Sequence, residues 1–193
     1  MNQTQQKRIL CLGDSNTFGY DPCAALDRRY PETQRWTARL RASDRTVLNR
    51  GANGACVPVG EEIPAFAALI ESLLPLTAVT VMFGTNDLLR GADAAETAAR
   101  MARFLPAVRD SAPGAAVILI APPPLSFGDW VRDASVIRES QALAAHYRAL
   151  AADAGVAFAD AGAWDVALTF DGVHFTAEGH AAFYRGLAPL LDA

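Results

Sequence analysis

The chain has 193 residues, 51% of them hydrophobic, and a formal net charge of −4 from 17 Lys and Arg against 21 Asp and Glu. This length suffices for one well-buried domain, and no Ser/Gly-rich or like-charge stretch divides it, so we expect a single domain over residues 1–193. The mildly acidic balance lacks a basic cluster, which argues against a nucleic-acid groove or a membrane surface and favours a small-molecule partner.

The first residues and the cysteines bear on the cellular compartment of the protein. Residues 1–6 are polar and the apolar run after them is only strand-length. Neither a secretory signal nor a membrane-spanning helix is therefore predicted, and we expect a cytoplasmic protein. Cys11, Cys23 and Cys56 are odd in number and lack C-x-x-C spacing, so free thiols are expected rather than a disulfide framework or a zinc site.

Short apolar runs alternate with Ala/Leu/Arg-rich stretches of helical spacing along the chain. The predicted strands are 9–12, 46–48 (the weakest), 78–83, 115–120 and 156–158. The predicted helices are 34–41, 61–74, 94–109, 135–154 and 177–191. This alternation predicts an α/β fold in which a central parallel sheet of about five strands is flanked by helices.

In such sheets, ligands gather at the carboxyl ends of the strands, where the loops carry the polar residues. The loops at these ends read GDSN (13–16), NRGANGA (49–55), GTND (84–87) and PPPLSF (122–127). Ser15 follows a strand and a glycine, which places its hydroxyl near the exposed backbone N–H groups of a helix start. That position suits either a helix cap or a nucleophile. Asp14 and Asp87 are interpreted as turn or cap residues.

A serine nucleophile needs a base, and the base needs an orienting carboxylate. His146 and His180 lie inside predicted helices and are interpreted as surface or packing residues. His174 lies in DGVH, three residues after Asp171. In a tight turn this spacing can bring the carboxylate beside one ring nitrogen. The alternative is that Asp171 only forms a turn and His174 packs on the start of the last helix.

Acyl transfer also needs hydrogen-bond donors aimed at the developing oxyanion. Asn86 in GTND offers two uncharged N–H donors at the sheet edge that carries Ser15. Its alternative role is to cap the helix that follows. Gly51 and Gly54 would let backbone N–H groups approach a ligand closely, although a flexible turn explains these glycines equally well.

In this order, the blocks GDSN, NRGANG, GTND and DGVH resemble the SGNH, or GDSL, hydrolase superfamily of esterases, lipases and acyltransferases. The resemblance extends from about residue 7 to the last predicted helix. It implies a three-layer flavodoxin-like fold and ester hydrolysis without a metal or other cofactor. It also implies Ser15 as nucleophile with Asp171 and His174, and an oxyanion hole formed by Ser15, Gly54 and Asn86.

Further stretches, KRILCLGDS, RYPETQRWTARL, PPPL and FADAG, resemble a bacterial arylesterase and acyltransferase branch. Asn16 stands where the usual motif has leucine, which predicts a more polar edge of the acyl pocket. Phe18, Thr85 and Val173 are the other residues expected to line that pocket. The predicted loops also carry the aromatic residues Tyr20, Phe127 and Trp130. These either line the pocket or are ordinary core or rim residues. Some members of this branch assemble through long loops. This chain is short between residues 54 and 78, which argues against assembly of that kind, and a homo-oligomer is kept only as an alternative.

The expected function is a serine esterase that hydrolyses small, short-chain acyl esters through an acyl-enzyme, with transfer to an alcohol as a second outcome. Three consecutive prolines at 122–124 stiffen a neighbouring loop, which favours a narrow pocket. Asp160 and Asp165 are rival carboxylates for the triad. A thioesterase or lysophospholipase would use the same residues. The alternative from another class is a non-catalytic module whose loop glycines and Asn86 bind an anion or small molecule.

Overall fold

The computed structural model describes residues 6–25, 28–41 and 45–192. Within these residues, five parallel strands form one sheet in the order β2-β1-β3-β4-β5. The strands are β1 (Lys7–Gly13), β2 (Arg45–Gly51), β3 (Ala78–Met82), β4 (Ala116–Ala121) and β5 (Ala157–Asp160). This is the strand order of flavodoxin-like doubly wound folds, in which the chain reverses direction across the sheet between β1 and β3.

The helices are α1 (Ser15–Phe18), α2 (Trp36–Arg39), α3 (Glu62–Ser72), α4 (Thr85–Leu89), α5 (Ala94–Ser111), α6 (Ala134–Ala154) and α7 (Ala177–Leu187). Two 3₁₀ turns cover Ala161–Ala163 and Ala188–Leu191. Helices α3, α5 and α6 pack on one face of the sheet, and α2 and α7 pack on the other. The arrangement has three layers, helix, sheet and helix.

Strand β1 shows why the strands read as continuous apolar runs. Leu10 and Leu12 pack in the core beneath α3, α5 and α6, whereas Ile9 and Cys11 pack in the opposite core with α2 and α7. Successive side chains of a strand point to opposite faces, and a parallel sheet between two helical layers buries both of them. No alternation of polar and apolar residues is therefore needed.

The predicted α/β fold with a central parallel sheet flanked by helices is confirmed. Each of the five predicted strands corresponds to an observed strand, including the weak candidate at 46–48, which is part of β2. The last predicted helix ends earlier than expected, at Leu187, and continues as a 3₁₀ turn. Pro189 lies in that turn, and proline lacks the N–H that an α-helix interior requires. Within the described residues, no helix is both long and apolar enough to cross a membrane.

Candidate active site

The sheet order brings three of the motif loops side by side. Strand β1 lies between β2 and β3, so the GDSN loop after β1 is flanked by NRGANGA after β2 and GTND after β3. Because the strands are parallel, all three loops leave the same carboxyl edge. The gap between β1 and β3 is the topological switch point at which doubly wound folds bind ligands.

Ser15 is the first residue of the four-residue helix α1. Asp14 caps this helix, as predicted for a cap residue, because its side chain accepts a hydrogen bond from the Asn16 backbone N–H at 2.9 Å. Burial raises the pKa of Asp14 to about 6. Gly19 ends the helix in the left-handed region at φ 92°, which glycine adopts readily. Among the described residues, the Ser15 N–H has no hydrogen-bond acceptor.

Ser15, His174 and Asp171 form one chain of hydrogen bonds. The Ser15 Oγ lies 3.0 Å from His174 Nε2, and Nδ1 of the same ring lies 2.6 Å from Asp171 Oδ2. The three residues are buried, with exposures of 5%, 3% and 0% for Ser15, His174 and Asp171. When Nδ1 carries the proton that faces the carboxylate, Nε2 is free to accept the serine proton.

Asp171 is held ionised by its surroundings. Its Oδ1 accepts hydrogen bonds from Thr169 Oγ1 at 2.7 Å and from the backbone N–H groups of Val173 and His174 at 2.9 and 3.0 Å. Burial alone would raise the pKa of Asp171, but the hydrogen bonds from His174, Thr169 and Val173 outweigh it and lower the pKa well below its usual range. The rival Asp160 instead accepts from the Gly162 N–H at 2.9 Å.

Two aromatic side chains pack against the His174 ring. The ring centroids of Tyr20 and His174 are 4.5 Å apart, and those of Trp130 and His174 are 5.0 Å apart in an edge-to-face arrangement. Tyr20 is buried, whereas Trp130 is 55% exposed, and Phe127 is exposed as well. The solvent side of the histidine is therefore bordered by an accessible aromatic surface.

The loops after β2 and β3 are joined by the Asn86 side chain, whose Nδ2 donates to the Ala55 carbonyl at 2.9 Å. Gly54, one residue earlier, adopts a left-handed φ of 73°, and within the described chain its N–H has no acceptor. Arg90 Nη2 holds the Gly54 carbonyl at 2.9 Å. Gly51 has a packing role, because a Cβ there would lie 2.8 Å from the Asp14 carbonyl oxygen.

The residues expected to line an acyl pocket lie in different environments. Phe18 is half-buried beneath the Arg29 guanidinium, 4.1 Å from its ring centroid. Thr85 and Val173 are buried beside Asn86 and His174 in the chain. Asn16 is 3% exposed, and both polar atoms of its carboxamide are hydrogen-bonded to backbone groups. It is thus directed at the backbone instead of adding polarity to a pocket.

The role of Asp87 was missed by the interpretation as a turn or cap residue. Its carboxylate is fully buried, with Oδ2 accepting from the Val57 N–H at 2.9 Å and Oδ1 accepting from Arg100 Nη1 at 2.8 Å. It therefore ties the loop after β2 to α4 and α5. The GTND motif gave no signal for these partners, which lie 30 and 13 residues away in the chain.

The other two histidines are separate from this site. His146 is exposed on α6. His180 is fully buried on α7, where its ring packs edge-on against Tyr30 and Phe175 with centroid distances of 5.1 and 5.4 Å. Burial, followed by the positive charges of Arg39 on α2 and of Arg35 just before it, lowers the pKa of His180 to about 3, so this ring is neutral.

The model of the GDSL-like lipase/acylhydrolase family matches residues 11–182. The chain belongs to this family, and the resemblance to SGNH hydrolases is confirmed. A comparison with curated protein sequences finds no match.

Solved structures of esterases share the whole fold. A carbohydrate acetylesterase from Sinorhizobium meliloti is 25% identical, with a TM-score of 0.84, 96% of this chain covered and 98% of that chain. The M. smegmatis aryl esterase is 27% identical with the same TM-score and coverages. A carbohydrate acetylesterase family member from S. meliloti is 30% identical, with a TM-score of 0.83 and coverages of 96% and 97%. The protein is a carboxylic ester hydrolase, and its substrates are small-molecule esters.

Proposed function

We propose that the protein is a serine esterase in which Ser15 is the nucleophile, His174 the general base and Asp171 the residue that orients the imidazole. The observation that carries this proposal is the buried chain of hydrogen bonds from Ser15 Oγ through both ring nitrogens of His174 to Asp171, at 3.0 and 2.6 Å. A separation of about 2.6–3.2 Å is what proton transfer between a hydroxyl and a base requires.

The reaction begins when Ser15 Oγ attacks the acyl carbon and its proton moves to His174 Nε2. The ionised Asp171 stabilises the imidazolium that results. The tetrahedral intermediate collapses, and Nε2–H protonates the departing alcohol, which leaves an acyl-enzyme on Ser15. Water, deprotonated by the same nitrogen, then releases the carboxylic acid. General base catalysis of this kind contributes about 10²–10⁴ in rate.

The oxyanion of both tetrahedral intermediates is stabilised by the backbone N–H groups of Ser15 and Gly54 and by the Asn86 amide. In support, the two backbone groups have no acceptor among the described residues. Asn86 has a second amide hydrogen besides the one it donates to Ala55. The loss of one such donor costs about 3 kcal/mol in the transition state.

The substrates are small esters with short acyl chains, and an alcohol that replaces water in the second step would receive the acyl group. Support comes from the three consecutive prolines at 122–124, which restrict the conformation of their loop. The esterase neighbours, two of which are named for carbohydrate acetyl esters, support it as well. Phe18, Thr85 and Val173 border the acyl group in this proposal. A series of p-nitrophenyl esters measures the preference, and an optimum at about eight or more carbons would contradict it.

The proposal is tested with a panel of aryl esters, thioesters and lysophospholipids on the wild type and on Ser15→Ala. We expect aryl ester turnover to predominate and Ser15→Ala to lose it by at least about 10⁴-fold. A fluorophosphonate should form one adduct, located on Ser15 by mass spectrometry. Faster turnover of thioesters or lysophospholipids would change the substrate class only. A folded wild type without adduct and without turnover would favour a binding module instead.

A further inference from the structure

Asn16, the residue directly after the proposed nucleophile, contacts the backbone on both sides of His174. Its Nδ2 donates to the Val173 carbonyl at 3.1 Å, and its Oδ1 accepts from the Phe175 N–H at 3.0 Å. These partners lie 157 and 159 residues away in the chain. The carboxamide thus joins the GDSN loop to the DGVH segment by two buried hydrogen bonds.

Asn16 is itself held in place by its own backbone. Its N–H donates to Asp14 Oδ1 at 2.9 Å, and its carbonyl accepts from Trp36 Nε1 at 2.9 Å. Both backbone groups and both atoms of the carboxamide therefore have partners. Because this side chain has so little freedom, it fixes the DGVH segment relative to α1.

The distance between Ser15 and His174 depends on this connection. Ser15 is carried by α1 and His174 by the segment before α7, so the 3.0 Å from Oγ to Nε2 is set by how these two elements meet. Since that distance is already near the upper end of the range for proton transfer, a shift of a few tenths of an ångström weakens it. A misplacement of about 1 Å can cost about 10² in rate.

We propose that Asn16 is a positioning residue, whose carboxamide holds the backbone on either side of His174 so that Nε2 stays within hydrogen-bond distance of Ser15 Oγ. Asn16 acts through His174 and does not contact the substrate. This proposal rests on the proposed roles of Ser15 and His174.

The test compares Asn16→Leu, which keeps the size of the side chain and removes both hydrogen bonds, with the wild type. We expect kcat for p-nitrophenyl acetate to fall by about 30–100-fold while KM changes by less than about threefold. The rate of fluorophosphonate labelling at Ser15 should fall in parallel, because labelling needs the same base and no ester pocket. A rise of KM with unchanged kcat would overturn the proposal, since it would indicate a substrate contact.

A matched control removes a hydrogen bond of the same kind far from the site. Thr77 Oγ1 donates to the Arg8 carbonyl at 2.9 Å at the opposite, amino edge of the sheet. Thr77→Val should lower the urea midpoint while kcat stays at the wild-type value. If kcat of both variants falls only in proportion to the folded fraction, Asn16 is merely structural and the proposal is overturned.

A second variant keeps the proposal testable if Asn16→Leu does not fold. Asn16→Ala removes the same two hydrogen bonds without adding bulk or charge, so it is expected to fold and to show a comparable fall in kcat. A wild-type kcat in this folded variant would overturn the proposal. Ser15→Ala, measured in parallel, distinguishes a failure of the proposed esterase mechanism from a failure of the proposed role of Asn16. If Ser15→Ala is inactive and Asn16→Leu is fully active, the esterase mechanism stands and only the role of Asn16 is lost.

Discussion

The replacement of Asp171 by asparagine separates the two functions of this carboxylate. Its Oδ1 accepts three hydrogen bonds, from Thr169 Oγ1 and from the backbone of Val173 and His174, and an amide oxygen can accept all three. Its Oδ2, 2.6 Å from His174 Nδ1, would become an NH₂ group that can only donate. The imidazole would then present Nδ1 as acceptor and carry its proton on Nε2.

That tautomer cannot take the proton of Ser15, because Nε2–H now faces the hydroxyl. The equivalent change in a Ser-His-Asp enzyme costs about 10⁴ in kcat, or about 5–6 kcal/mol of activation free energy. The fold should lose much less. All three bonds to Oδ1 are kept and only their charge assistance disappears, so the free energy of unfolding should fall by about 1–2 kcal/mol. Activity and stability are therefore expected to separate.

The measurements are kcat with p-nitrophenyl acetate and the urea midpoint of unfolding. Asp171→Ala serves as a contrast, because it leaves four donors, His174 Nδ1–H among them, without their acceptor and should lose several times more stability than Asp171→Asn. Asp160→Asn serves as the matched control, since Asp160 caps a 3₁₀ turn and should leave kcat unchanged. If Asp171→Asn keeps kcat within about tenfold of the wild type, the assignment of this carboxylate to His174 is refuted.

Three further changes test other parts of the structure. Asp87→Ala leaves the buried Val57 N–H and the arginine of α5 without their acceptor, so we expect a loss of about 3 kcal/mol in urea unfolding and a lower kcat; unchanged kcat would show that the loop after β2 needs no such tether. Gly51→Ala places a Cβ 2.8 Å from the carbonyl oxygen of Asp14 and closer still to the Phe18 nitrogen, so a loss of about 1–3 kcal/mol is expected, and wild-type stability would refute the close approach. The unfolded state protonates His180 near 6.5 and the folded state only near 3, so stability falls as the pH drops through this window. The loss in the free energy of unfolding is about 3 kcal/mol at about pH 4.5. In His180→Phe the urea midpoint should not show this fall with pH. Equal pH dependence of the midpoints of the wild type and the variant would contradict the burial argument.

The sequence predicted the sheet well because its signal is local. The central strands β1, β3 and β4 contain apolar runs buried on both faces, whereas the edge strands β2 and β5 are only partly buried. Glycines mark the ends of β1 and β3. The pairing of Asp171 with His174 was also accessible, since three residues of one turn are enough to bring the two together. The loops that surround Ser15 then follow from the parallel order of the strands, because they all leave the same edge of the sheet.

Contacts between residues far apart in the chain could not be predicted, because their geometry depends on how the helices and strands pack. A polar residue at position 16 suggested a polar pocket, because the sequence does not tell which backbone groups come within reach of its carboxamide. Those groups are set by the docking of α7, whose Phe183 and Leu187 pack into the core beneath the sheet together with Trp36. Trp36 in turn donates to the Asn16 carbonyl. The apolar core on this face therefore determines where His174 meets Ser15, so a cavity made at Phe183 should disturb catalysis as well as stability, although no atom of that side chain belongs to the proposed triad.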